Sequence, residues 1–207
     1  MFEMPHNVVG VDLDGVIADI VSQLVRFSRI EYGIHLLPSQ LRSERIEICT
    51  PINGEQLTKL FQEPGFFRSM RAIPRAKQSL SALREHGYSI HVITDRFWYP
   101  DIHDDTRKWL ADRSINVESL VFARKTDKQH VARELGVQWF IEDQISNANL
   151  LSEVCQVLLI DRPYNQGMTP EGVARVKGID EAVESIVESI LRQRQGGSTR
   201  TLQPVAE

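Results

Sequence analysis

Cysteine is scarce in this chain, with only Cys49 and Cys155 among 207 residues. They stand far apart and form no C-x-x-C unit, which excludes a disulfide framework and a cysteine zinc site and fits a reducing, cytoplasmic setting. No apolar run is long enough to span a bilayer. The N-terminal Met1-Phe2-Glu3-Met4-Pro5-His6 lacks a basic segment with an apolar one behind it, so neither a membrane partner nor a leader is expected. A surplus of one charge is also missing. The net charge of -4 gives no general pull toward a nucleic-acid polymer. A small anionic substrate must therefore meet a local cationic site. Internal repeats are absent.

What is present is the composition of an ordinary globular protein, 42% hydrophobic and 25% charged, of a length that suits one domain with an insertion. Short apolar runs alternate with helix-like segments, the pattern of a parallel sheet covered by helices. The runs are Val8-Val9-Gly10-Val11, Ile90-His91-Val92-Ile93, Leu120-Val121-Phe122-Ala123, Trp139-Phe140-Ile141 and Val157-Leu158-Leu159-Ile160. Apolar residues at helical spacing predict helices over 17–32, 76–86, 106–113, 128–135, 147–154 and 180–194. The segment from Gly33 to Arg71 breaks the rhythm and is far longer than a strand-to-helix loop needs. The expected division is an α/β core from 1–14 and 72–194, a small helical cap over 15–71, and a disordered tail over 195–207 without apolar periodicity.

Each run ends in polar residues, and open α/β sheets bind ligands at the carboxyl ends of their strands. Asp12 and Asp14 follow the first run and alternate with Leu13, so strand geometry aims both to one side. Crowded carboxylates favour a hard divalent cation, and oxygen-only ligands suit Mg²⁺. One such carboxylate can attack phosphorus while its neighbour donates and later accepts a proton. Thr94 ends the second run, where a hydroxyl can meet a phosphate oxygen; it can equally cap a helix. Glu142 and Asp143 end the fourth run, where they can complete the metal site or simply cap the next helix. Lys128 opens a helix just upstream and can neutralise phosphate, a role for which Lys125 competes. Each of these residues has an ordinary structural reading by itself. Their ordered recurrence at successive strand and helix ends is what points to a site.

The series Asp-x-Asp, Thr, Lys, Glu-Asp resembles the four motifs of the haloacid dehalogenase superfamily of phosphotransferases. The resemblance implies a doubly wound, Rossmann-like core with a cap and a Mg²⁺-dependent phosphomonoesterase. It implies Asp12 as nucleophile, Asp14 as general acid and base, Thr94 as phosphate binder and Lys128 as charge stabiliser. It implies a metal held by Asp12, the backbone carbonyl of Asp14, and Asp143 with help from Glu142. The dehalogenases of that superfamily lack the second aspartate, so Asp14 argues for phosphoryl chemistry. Over Asn7 to about Arg175 the chain is further similar to the 5'(3')-deoxyribonucleotidase family and its bacterial relatives. The likeness rests on Gly65-Phe66-Phe67-Arg68, Ile73-Pro74-Arg75-Ala76, Thr94-Asp95-Arg96, Phe140-Ile141-Glu142-Asp143, Asn147-Ala148 and Asp161-Arg162-Pro163-Tyr164-Asn165. It implies a nucleoside monophosphate as substrate. The chain departs from the pattern at Arg75, where the family usually has glycine, and at Asp95-Arg96, where animal members usually have Ser-Pro.

Phe66 and Phe67 can stack on a base or pin the insertion to the core, and Arg96 and Arg68 can touch an anionic substrate or lie on the surface. His103 with Asp101, Asp104 and Asp105 suggests a metal cluster less well than an acidic first helical turn. A homodimer is compatible with the sequence. Three other readings compete. One is a phosphatase of the same superfamily acting on a sugar phosphate or other small ester. A second is a phospho-accepting regulatory domain of receiver type, which the Asp12-Leu13-Asp14 spacing and the long insertion disfavour. The third is a phosphatase-like protein that binds a partner with little activity.

Overall fold

The computed structural model describes residues 7–196. The five apolar runs form strands β1 (Asn7–Val11), β2 (Tyr88–Thr94), β3 (Ser119–Phe122), β4 (Trp139–Glu142) and β5 (Gln156–Ile160). A sixth, β6 (Val173–Val176), was not foreseen. It is a short edge strand with a single fully buried side chain, Val176, so its hydropathy signal is weak. All neighbours pair in parallel, in the order β3-β2-β1-β4-β5-β6. This is a doubly wound sheet whose order reverses between β1 and β4, where the crevice for a ligand opens.

The pleat sorts the core into two apolar layers. Val9, Val11, Ile90, Val92, Ile141, Leu158 and Ile160 face one side. Val8, Ile93, Phe140, Val157 and Leu159 face the other. The first layer is closed by α1 (Ile20–Tyr32), α4 (Ala76–Glu85), α5 (Ile102–Asp112) and α8 (Ile179–Gly196). The second is closed by α6 (Lys128–Glu134) and α7 (Ile145–Leu151). The central strands β1, β2, β4 and β5 carry the buried runs that read as continuous apolar segments, and the edge strand β3 was visible from its uninterrupted Leu120-Val121-Phe122 although its side chains are only half-buried. Gly10 is demanded by packing: a Cβ there would lie 2.5 Å from the Phe140 ring across the β1–β4 seam.

The long insertion carries α1, short 3₁₀ turns at Pro38–Gln40 and Ile46–Ile48, then α2 (Gly54–Gln62) and α3 (Pro64–Arg68). The helix expected from Ile17 begins at Ile20, because Asp19 caps it by accepting from the Ser22 N–H at 3.1 Å. Residues 17–19 instead pair with 71–73 through an antiparallel bridge at Ala18 and Ala72. Ile73 donates its N–H to Ile17 O and Asp19 donates to Arg71 O, both at 2.8 Å. The insertion therefore leaves and re-enters the core through one paired stem. Its return is pinned by α5, since the Trp109 indole and Arg113 both donate to Met70 O, at 2.8 and 2.6 Å. At the chain's far end α8 runs to Gly196, and the tail expected to be disordered lies, from residue 197, outside the described residues.

Candidate active site

The site forms where β1 ends. The Asp12 N–H donates to Ile141 O at 2.9 Å, which keeps Asp12 on the seam with β4 after the regular strand has stopped. Leu13 turns into the core. The chain then swings away at Gly15, whose φ of +84° lies in the left-handed region that favours glycine. The space is equally exclusive, since a Cβ on Gly15 would sit 1.8 Å from Asp143 Oδ2. Arg162 clamps the turn by forking onto Gly15 O with Nε at 2.9 Å and Nη2 at 2.6 Å.

Lys128, the first residue of α6, reaches across the strand ends. Its Nζ donates to Asp12 Oδ1 at 2.7 Å and to Glu142 Oε2 at 3.1 Å. All three residues are buried, with exposures of 2%, 4% and 0%. Lys125 also lines the cavity above these groups, but its Nζ is engaged by Gln144 at 3.0 Å and Glu44 at 3.6 Å. The sequence assigns the role to Lys128 with Lys125 as a competitor; the fold puts only Lys128 within hydrogen-bond reach of Asp12.

Asp12, Glu142 and Asp143 offer carboxylate oxygens that all lie within 4.8 Å of one another. Burial pushes Asp12 up to about 7, with Glu142 and Asp14 adding to the rise and Lys128 opposing it. Asp143 is driven well above the ordinary carboxylate range by burial and by the charges of Glu142 and Asp12. Against burial, Lys128 and hydrogen bonds from Asp143 hold Glu142 low. Against the same burial, Asp12 and Glu142 keep Lys128 protonated above the usual lysine range. One ammonium thus serves three buried carboxylates, an arrangement short of positive charge.

A divalent cation fits that deficit. Asp143 Oδ1 is buried with no hydrogen-bond partner, and so is Asn147 Oδ1. Unpartnered buried oxygens are costly in a folded protein. Oxygens of this kind, in an all-carboxylate and amide set, suit Mg²⁺. The second carboxylate oxygen of Asp143 accepts from the Tyr164 hydroxyl. Asn165 holds the same loop, its Nδ2 donating to Asp143 O at 2.6 Å and Ile160 O at 2.7 Å.

Above these groups lies a cavity of about 320 Å³. Its polar floor includes Asp12, Asp14, Thr94, Lys128, Asp143 and Asn147. Its apolar wall comes largely from the insertion, with Ile20, Leu24, Leu57, Phe61 and Phe67, and from Trp98 after β2. The rim joins insertion to core, because Glu44 accepts from the Ser146 hydroxyl at 2.5 Å and pairs with Lys125.

The structure thus gathers Asp12, Asp14, Thr94, Lys128, Glu142 and Asp143 into one place. Two of the expected substrate-binding residues lie elsewhere. Phe66 is fully buried and packs edge-on against Phe27, Phe61 and Phe67 at 5.2, 5.3 and 5.1 Å, without lining the cavity. Arg96 is 1% exposed and also off the cavity wall, with its guanidinium on Asp14. Phe67 does line the cavity. Arg68 pairs with Asp105 at 2.8 Å, and His103 stacks on Phe122 with centroids 3.7 Å apart, so neither addresses the site. Asp104 and Asp105 occupy the first turn of α5. Glu44, Trp98, Arg162 and the open oxygen of Asn147 carried no assigned role in the sequence. Glu44, Trp98 and Arg162 come to the site through loops, whose conformation leaves no periodic signal, while Asn147 comes from the first turn of α7.

Comparison with known proteins agrees with this geometry. The family model described as "5' nucleotidase, deoxy (Pyrimidine), cytosolic type C protein" matches residues 6–194. A "Putative 5'(3')-deoxyribonucleotidase" of Chlorobaculum tepidum is 30% identical over 149 residues, covering 68% of this chain and 71% of that protein. A protein of the same name from Staphylococcus aureus strain Mu50 is 24% identical over 109 residues. That match spans 53% of this chain and only 60% of the relative's own length. Among solved structures, the D,D-heptose 1,7-bisphosphate phosphatase of B. bronchiseptica, complexed with magnesium and phosphate, superposes with a TM-score of 0.54. It shares the fold at 14% identity over 88% of this chain and 99% of that one.

Proposed function

We propose that this chain, which belongs to the 5' nucleotidase, deoxy (Pyrimidine), cytosolic type C family of haloacid dehalogenase-like proteins, is a Mg²⁺-dependent phosphomonoesterase acting on nucleoside monophosphates. The observation that carries the reading is the contact of Lys128 with Asp12 and Glu142 beneath a cavity lined by Asp14 and Thr94. A receiver-type domain has no use for that cavity.

In this reading Asp12 and Asp143, with Glu142 and the Asp14 backbone carbonyl beside them, would hold a divalent ion, which would supply positive charge against the substrate phosphate. The protein's own groups do the rest. Lys128 and the Thr94 hydroxyl hold phosphate oxygens. The Asp12 carboxylate attacks phosphorus, an Asp12 O–P bond forms and the ester P–O bond breaks. Asp14 gives its proton to the departing alkoxide. Asp14 then takes a proton from water as that water attacks the aspartyl phosphate, releasing phosphate and restoring Asp12. The segment from Gly15 to Arg71 serves as a cap that limits access of bulk water, its stem at 17–19 and 71–73 acting as the joint.

The mixed cavity supports the nucleotide reading. Phe61, Phe67 and Trp98 offer aromatic surface in the cavity wall, with Phe61 and Trp98 centroids 4.7 Å apart. A base can lie there while its 5'-phosphate reaches Asp12. The unpaired cysteines support a cytoplasmic setting. The test is a phosphate-release screen over deoxy- and ribonucleoside monophosphates, sugar phosphates and an aryl phosphate, with Mg²⁺ and with chelator. Nucleotide hydrolysis that stops with chelator and in Asp12→Asn is expected. Preference for sugar phosphates over every nucleotide would retain the phosphatase and remove the nucleotidase; undiminished activity in Asp12→Asn would remove both.

A further inference from the structure

Arg96 is the largest of the fully buried side chains. A guanidinium cannot shed its proton, so it tolerates such burial only where its donors are matched. Here they are matched from three sides. Nε and Nη2 fork onto Asp14 Oδ2 and Oδ1 at 2.8 and 2.6 Å. Nη1 donates to Thr106 Oγ1 at 3.3 Å, and the Thr106 hydroxyl spends its own proton on Ile102 O at 2.7 Å, leaving its oxygen to accept. The guanidinium plane lies over the Phe67 ring, 4.7 Å from the centroid. Element α5, the insertion and the end of β2 therefore fix this group together.

The consequence falls on Asp14. Asp12 and Asp14 leave the same strand end two residues apart, yet each has its own cation, Lys128 for one and Arg96 for the other. The carboxylates close enough to share a metal are those of Asp12, Glu142 and Asp143, and Asp14 is not among them. The Asp14 side chain is 25% exposed and lines the cavity, while Arg96 does not. A bidentate fork also fixes the plane of the carboxylate it grips, which a lysine cannot do.

Building on the phosphatase reading, we infer that Arg96 is a positioning residue: it holds the Asp14 carboxylate out of the metal group and aimed at the leaving oxygen of the substrate. Arg96 makes no contact with substrate; it acts through Asp14. A positioned acid matters in proportion to how poor the leaving group is. An alkoxide must be protonated as it departs, whereas 4-nitrophenolate leaves unaided.

The test compares kcat/KM, which reports the first phosphoryl transfer, for a deoxynucleoside 5'-monophosphate and for 4-nitrophenyl phosphate. Arg96→Met and Asp14→Asn are each expected to lose about 100-fold or more on the nucleotide and no more than a few-fold on the aryl ester, within the usual worth of a general acid. The double variant should be no worse than the poorer single, and Arg96→Lys should not restore the nucleotide reaction. Should Arg96→Met fail to fold, Thr106→Val removes one support of the guanidinium, and the same selectivity is expected at about 3- to 10-fold. Equal losses on both esters, in a wild type active on both, would overturn the positioning role and leave the phosphatase standing. A wild type inert on both esters would overturn the phosphatase reading and this one with it.

Discussion

Replacing Lys128 by methionine removes the only ammonium among Asp12, Glu142 and Asp143 while nearly keeping its volume. The donor lies 2.7 Å from Asp12 Oδ1 and 3.1 Å from Glu142 Oε2, all but out of contact with water. Removing one partner of a buried ion pair costs about 3–5 kcal/mol, because the remaining charge stays buried without compensation. For a chain of this size each kcal/mol moves the melting temperature by about 2–4 °C, so a fall of roughly 6–20 °C is expected in chelator at pH 8. The deficit has a definite pH dependence. Burial already pushes Asp12 up to about 7 in the folded protein, well above the ordinary aspartate range, and Lys128 is what restrains it. In Lys128→Met it rises further. Between about pH 4 and that raised value the folded chain holds a proton that the unfolded chain has lost, so stability falls as pH rises through this window. The gap between variant and wild type should therefore narrow at pH 5 and widen at pH 8. Saturating Mg²⁺ should recover part of it at pH 8, since an ion bound only by the folded state supplies the missing charge. Scanning calorimetry at the two pH values, with and without Mg²⁺, measures all of this. A melting point within about 2 °C of wild type in chelator at pH 8 would refute the charge assignment.

Other outcomes follow from single contacts. Gly15→Ala places a methyl carbon 1.8 Å from Asp143 Oδ2 and demands a left-handed φ. It should destabilise the fold by about 1–2 kcal/mol through the backbone alone and reduce phosphatase kcat at least tenfold by displacing Asp143; a fully active variant would contradict this. Burial pushes the Cys155 thiol up to about 12, so at pH 8 its thiolate fraction is about 10⁻⁴ and alkylation should accelerate about tenfold per pH unit through this range. Mass-resolved iodoacetamide labelling reads this, and a native rate equal to that of the unfolded chain would disprove it. Arg75 takes the left-handed conformation at φ 66° and pairs with Asp180 at 3.1 Å on the surface. In Arg75→Gly, about 1–2 kcal/mol of backbone relief is set against about 0.5–1 kcal/mol of added chain entropy and a weak exposed pair, so melting should stay within about 4 °C of wild type.

The parts of this molecule that could be read in its sequence share a physical basis. Strands buried on both faces leave continuous apolar runs, and the residues at their carboxyl ends fall where a doubly wound sheet must bind ligand. Asp12, Thr94, Glu142 and Asp143 were legible for that reason. Lys128 was legible only as a lysine near a helix start, since its choice over Lys125 is made by the reach of α6 across β1 and β4. Strand β6 escaped because Arg175 interrupts its four-residue run, whereas the other edge strand, β3, keeps Leu120-Val121-Phe122 unbroken. Arg96 and Phe66 were recognised as residues of interest but placed against substrate. What decided their positions was tertiary: the fork onto Asp14 and the ring cluster with Phe27, Phe61 and Phe67. No local pattern encodes either.

The central position of β1 bears on how the protein is made in the cell. Asp12 and Lys128 are separated by 116 residues, and synthesis at about 5–20 residues per second puts roughly 6–23 s between them. Through that interval the strand Val8-Val9-Gly10-Val11 can find β2 but not β4, which is translated later still. One edge of this central strand stays open on the ribosome, the condition under which nascent chains misassociate or recruit holding factors. The same delay means that a growing or prematurely stopped chain carries Asp12 without the lysine and carboxylates that surround it in the folded protein. A chain that stops short of β4 lacks Glu142 and Asp143, and with them two of the three carboxylates gathered at the end of β1.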